Sequence, residues 1–147
     1  MSIKNRLQEE IKSAMRAKNQ ARLGTLRLIH AAIRQREIDE RIDLNDEQLL
    51  ALLDKMMKQR RDSVTQYQEG GRMDLVEKEK DEMNIIQAFL PTPLTDKEIT
   101  ALIQQAIKDA GAVDIKDMGK VMGFVKPALQ GRADMGVVSQ KIKELLK

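Results

Sequence analysis

The sequence contains no cysteine. That absence removes disulfides, thiolate nucleophiles and cysteine-based zinc sites together, and it is compatible with a reducing cytosol. Histidine is nearly absent as well: His30 stands alone, and one imidazole makes no zinc site without cysteines or a carboxylate cluster. There is no tryptophan, and Tyr67, Phe89 and Phe124 are the only aromatic residues. A core must therefore be built from Leu, Ile, Val, Met and Ala, a composition that favours helices. No apolar run approaches a membrane span, and the start, MSIKNRLQEEIKSAM, interleaves charges with apolar residues, unlike the continuous apolar stretch of a secretory signal peptide. These features lead to the expectation of a cytoplasmic protein without membrane contact. No Walker-type loop, dinucleotide fingerprint or Gly-x-Ser-x-Gly elbow occurs. With no nucleophile accompanied by a base and an orienting group, no catalytic residue is assigned, and no cofactor or metal is expected.

What the sequence does contain is charge: 33% of its residues, with a net charge of +3. The distribution is uneven. Between Ile11 and Arg36 lie Lys12, Arg16, Lys18, Arg22, Arg27, Arg34 and Arg36, and no carboxylate at all, whereas residues 42–90 carry more acid than base. This local asymmetry predicts a basic face suited to phosphates, with Arg27 and Arg34 as candidate contacts and His30 beside them at helical spacing. The acidic cluster Glu77, Glu79, Asp81 and Glu82 sits in the alternating run EKEKDE, the pattern of a solvated helix face rather than of a magnesium site.

Apolar residues recur at three-to-four spacing and strand-like alternation never persists, so the fold class is all-α. Ser2 caps a first helix running to about Asn19, and a second continues to about Glu37, either joined to the first or broken at Gly24. NDEQ, at Asn45 to Gln48, has the form of a capping box and opens a long third helix that stops at Gly70-Gly71. A fourth, capped by Asp74 and Glu77, completes a long helical hairpin. Pro91 and Pro93 then interrupt the pattern, placing a linker at 91–94 between an N-terminal long-helix domain, 1–90, and a small three-helix C-terminal domain, 95–147. Thr95 and Glu98 cap the first helix of that domain, Gly111 ends it, and the remaining two start near Asp114 and after Asp134.

The segment DMGKVMGFVKPALQGRADMG, residues 117–136, concentrates four glycines and one proline between ordinary helical stretches. Glycine within a helix costs about 1 kcal/mol relative to alanine. Gly119 and Gly123, four apart, share one side of a helix and admit a close backbone, which is either a neighbouring helix or a nucleic-acid chain. Lys120, Lys126 and Arg132 border the strip and are placed to neutralise phosphates. Gly131 forms a turn, with Arg132 expected at an exposed corner and Asp134 as the structural cap of the next helix.

RRDSVTQYQEGGRMDLVEKEKDEMNIIQAFLPTPLTDKEI followed by DMGKVMGFVKPALQGRADMGVVSQKIKELL resembles the GatB/YqeY family over nearly the whole chain. The Gly-Arg-x-Asp-Leu segment, the Leu-Pro turn and Met-Gly-x-Val-Met-Gly followed by Gly-Arg-Ala-Asp occur in that order. The resemblance implies a helical module like the C-terminal region of the B subunit of glutamine-dependent aminoacyl-tRNA amidotransferase, where the tail is a tRNA-recognition element. Activation and glutamine hydrolysis in those carbon–nitrogen ligases belong to parts that this chain lacks. By that likeness the chain is a non-catalytic tRNA-binding module contacting tRNA through Gly119, Lys120, Gly123, Gly131 and Arg132, with no DNA partner expected and an amidotransferase or aminoacyl-tRNA synthetase as a possible associate. An alternative is an accessory factor that docks such an enzyme without touching RNA.

Overall fold

In the computed structural model, which describes residues 2–129 and 131–146, the chain is all-helical. Seven α-helices and one 3-10 turn are present among these residues, and no strand. Contacts divide the chain at Leu90–Pro91 into two compact units, each with its own apolar cluster.

The first unit holds α1 (Ile3–Arg16), α2 (Gln20–Glu40), α3 (Asp46–Glu69) and α4 (Met73–Gln87). Ser2 Oγ accepts from the Asn5 N–H at 3.2 Å and so supplies a partner for a first-turn donor. The break between α1 and α2 lies at Ala17 to Asn19, where Lys18 adopts φ +55° and the Asn19 side chain caps α2. Instead of ending a helix, Gly24 therefore lies inside α2, where glycine is tolerated at a cost of about 1 kcal/mol relative to alanine. Asn45 and Gln48 exchange both bonds of the capping box, at 2.9 and 3.0 Å. Leu49, Leu53, Met56 and Met57 of α3 pack with Leu26, Ile29 and Ile33 of α2 and with Ile86 and Phe89 in a single cluster. Arg6 donates to the Ala88 carbonyl at 2.7 Å and lies over the Phe89 ring at 5.4 Å, which ties α1 to the end of α4.

Two expectations about α4 change. Asp74 does not cap it; the carboxylate takes two bonds from Arg72, at 3.1 and 3.2 Å, and Arg72 occupies the cap position without a side-chain bond to the helix. Glu82, expected on a solvated face, is mostly buried and accepts from Arg60 Nε at 3.0 Å across the α3–α4 hairpin.

Glu37 is the polar clasp of this unit. Its Oε2 accepts from Lys4 Nζ and from the Leu44 N–H at 2.9 Å, joining α1, α2 and the connection to α3. The Lys4 hydrogen bond, followed by that of Leu44, holds the carboxyl below its ordinary value. A depressed folded-state value means that the stabilisation is present above the unfolded carboxylate pKa of about 4.3 and is lost as pH falls through the folded value. Glu37→Gln should accordingly melt below wild type at neutral pH, with the gap closing in acid below about pH 4. Thermal scans across that range check it; a gap that stays constant would contradict the clasp.

The second unit contains α5 (Asp96–Ala110), the 3-10 turn Ile115–Asp117, α6 (Met118–Leu129) and α7 (Met135–Leu145). Thr95 Oγ1 caps α5 at 3.2 Å, and Gly111 ends it at φ +64°, the left-handed conformation in which glycine avoids a Cβ penalty. Ile99, Ile103, Val121, Val125, Leu129, Val138, Ile142 and Leu146 form its core. Residues 91–94 do not hang free of this unit: the Leu94 N–H donates to the Arg132 carbonyl at 2.9 Å.

Candidate nucleic-acid interface

The core side of α6 is Val121, Val125 and Leu129, all buried. Helical spacing puts Gly119, Gly123 and Lys126 in one line on the other side, with Lys120 beside them, and all four are exposed. A Cβ built at Gly119 or Gly123 meets no atom within 4 Å. The glycine strip is thus not occupied by a neighbouring helix of this chain, and the packing alternative finds no support within it. Among the described residues Lys120 and Lys126 form no hydrogen bond or ion pair. Asp117 lies one turn before Lys120, but its carboxylate is committed to the Val113 N–H at 3.0 Å, the main cause of its lowered pKa, with Lys120 a smaller attraction.

Pro127 lies within α6 and has no N–H, so the Gly123 carbonyl one turn earlier lacks its helical donor. This relation was present in the sequence as a glycine and a proline four apart.

Gly131 and Arg132 are placed differently from the expectation. Gly131 is buried at φ +78°, a conformation that suits glycine. Arg132 is half-buried, and its Nε donates to the Thr92 carbonyl at 3.1 Å. The expected exposed corner is instead a clasp holding the 91–94 segment against the turn, because the Thr92 carbonyl, remote in sequence, gave the guanidinium a partner. Asp134 has the structural role expected of it, accepting from the Gly136 N–H at 2.9 Å as the cap of α7.

Arg27 and Arg34 belong to the other unit. Seven residues apart, they share a face of α2; both are exposed, and neither forms a hydrogen bond or ion pair among the described residues. The basic run around them is less positive in space than in sequence. Arg22 bonds Glu10 at 2.8 Å, Lys12 lies 3.8 Å from Glu9, and Arg36 bonds Glu40 at 2.7 Å. The neutralising carboxylates come from just outside the run. His30 lines a cleft with Lys4 and Arg34. Among the described residues no three His, Asp or Glu side chains gather as a metal site would require, and no helix is long and apolar enough to cross a membrane.

The described residues are all-helical, with an open glycine and lysine face on one short helix. Residues 4–146 match the family described as Yqey-like protein, and the chain belongs to that family. It is 35% identical to a protein of Pyrenophora tritici-repentis called Altered inheritance of mitochondria protein 41, mitochondrial, over 96% of this chain and 79% of that one. Proteins of the same name from Lachancea thermotolerans and Vanderwaltozyma polyspora are each 28% identical, covering 96% and 92% of this chain and 79% and 77% of theirs. The cytoplasmic location expected above is overturned by these relatives, which are named as mitochondrial. The features behind that expectation, a lack of cysteine and of a secretory signal, bear on the secretory route and do not separate cytosol from mitochondrion.

Proposed function

We propose that this chain is a non-catalytic RNA-binding module whose α6 face takes the sugar-phosphate backbone of tRNA. The carrying observation is the vacancy over Gly119 and Gly123 between the unpaired Lys120 and Lys126. An open strip lets a backbone approach closely, and lysines without partners neutralise phosphates at no cost in broken ion pairs. The family resemblance supplies tRNA as the polymer and glutamine-dependent amidation of mischarged tRNA as the associated process. The relatives' names point to a mitochondrial setting. The double variant Lys120→Ala/Lys126→Ala should bind bulk tRNA about tenfold or more weakly at low salt, to a similar degree for all tRNAs. Its melting temperature should stay near wild type, since both side chains are exposed. Undiminished binding by the double variant would remove α6 from the interface.

A second reading, docking to an amidotransferase or aminoacyl-tRNA synthetase without RNA contact, has one observation in its favour. Phe124 and Leu102, 55% and 36% exposed, flank a shallow, mainly apolar groove between α5 and α6. Docking there is insensitive to salt and is lost in Phe124→Asp; phosphate binding shows the opposite pattern.

A further inference from the structure

In the first unit, a cleft of about 190 Å³ lies between α1 and α2, lined by Lys4, Leu7 and Gln8 on one side and His30, Ile33, Arg34 and Glu37 on the other. Leu7 and Ile33 are buried and form its floor. The Glu37 carboxylate is already engaged by Lys4 and the Leu44 N–H. Three polar side chains remain without a hydrogen-bond partner among the described residues: the Arg34 guanidinium, the His30 imidazole and the Gln8 amide. Lys4 is paired with Glu37 and, at 3.9 Å, with the fully exposed Asp43, which leaves the Arg34 guanidinium as the cation of the cleft without an ion pair among the described residues.

We propose that this cleft is a phosphoryl-binding site. The planar Arg34 fork matches two oxygens of a tetrahedral oxyanion, and imidazole and amide donors beside it serve the others. The Lys4–Glu37 pair forms the wall and keeps the one carboxylate engaged. The volume suits a single phosphoryl group with part of what it is esterified to, being smaller than the roughly 300–1,000 Å³ of pockets that enclose whole drug-sized ligands. The site lies in a different unit from α6 and stands independently of the tRNA reading.

His30 is the only histidine, so its ring protons give an unambiguous NMR signal. Titration with inorganic phosphate at constant ionic strength should move that signal saturably, and Arg34→Gln should weaken the binding about tenfold, the expected loss for a hydrogen bond to a charged group. Lys58→Gln, exposed on α3 and outside the cleft, should leave it unchanged. A 5′-phosphorylated oligonucleotide is compared with the same oligonucleotide lacking that phosphate. Tighter binding of the phosphorylated one than of inorganic phosphate assigns the site to nucleic-acid ends; binding of inorganic phosphate alone assigns it to the free ion. No saturable shift, or the same shift in Arg34→Gln, overturns the proposal.

Discussion

Arg60→Ala should destabilise the first unit by about 3 kcal/mol, the lower end of what breaking a buried ion pair costs. Arg60 and Glu82 have side chains only 13% and 14% exposed, joined at 3.0 Å between α3 and α4, and Arg60 also donates to the Met56 carbonyl at 3.2 Å. Truncating the arginine leaves the Glu82 carboxyl partly buried and without its partner, which is a different situation from losing a surface pair worth less than about 1 kcal/mol. The double replacement Arg60→Met/Glu82→Leu should recover most of the loss, since apolar substitution of both members of a buried pair is often close to neutral. Urea unfolding with an unchanged slope is the measurement. A loss below about 0.5 kcal/mol for Arg60→Ala would show a pair that behaves as surface charge.

Gly119→Ala/Gly123→Ala should stabilise the second unit while weakening tRNA binding. Each replacement removes a helix-interior glycine, worth up to about 1 kcal/mol, and neither new methyl meets an atom within 4 Å. Gly24→Ala in α2 is the control: Gly24 is likewise open on every side, so it should stabilise by a similar amount without touching RNA affinity. An earlier melting transition for the double glycine variant would mean that the strip serves as a contact surface in the folded protein. Equal tRNA affinity for variant and wild type would separate the glycines from RNA approach.

The elements legible in the sequence are those decided within four residues. Ser2, Asn45 with Gln48, Thr95 and Asp134 act as caps because a short polar side chain reaches the N–H groups of the next turn whatever the rest of the chain does. What misled was a choice between partners. Asp74 faced both its helix terminus and Arg72, and the bidentate arginine won. Arg132 found a carbonyl forty residues away, and Arg60 found a carboxylate on the opposite arm of the hairpin, neither of which periodicity encodes. Within the candidate interface, the placement of Gly119, Lys120, Gly123 and Lys126 on one face followed from spacing alone. Whether that face was open or covered did not, because coverage depends on the packing of α5 and α7.

The salt dependence of tRNA binding by the unmodified protein tests the central claim most directly. Affinity for bulk tRNA, measured by gel retardation or anisotropy over a series of salt concentrations, should fall linearly on logarithmic axes with a slope of roughly −1.5 to −2 for two phosphate contacts, and Lys120→Ala should reduce its magnitude by about one unit or slightly less. Absence of binding at the lowest salt, or an affinity indifferent to salt, would contradict the RNA-binding account.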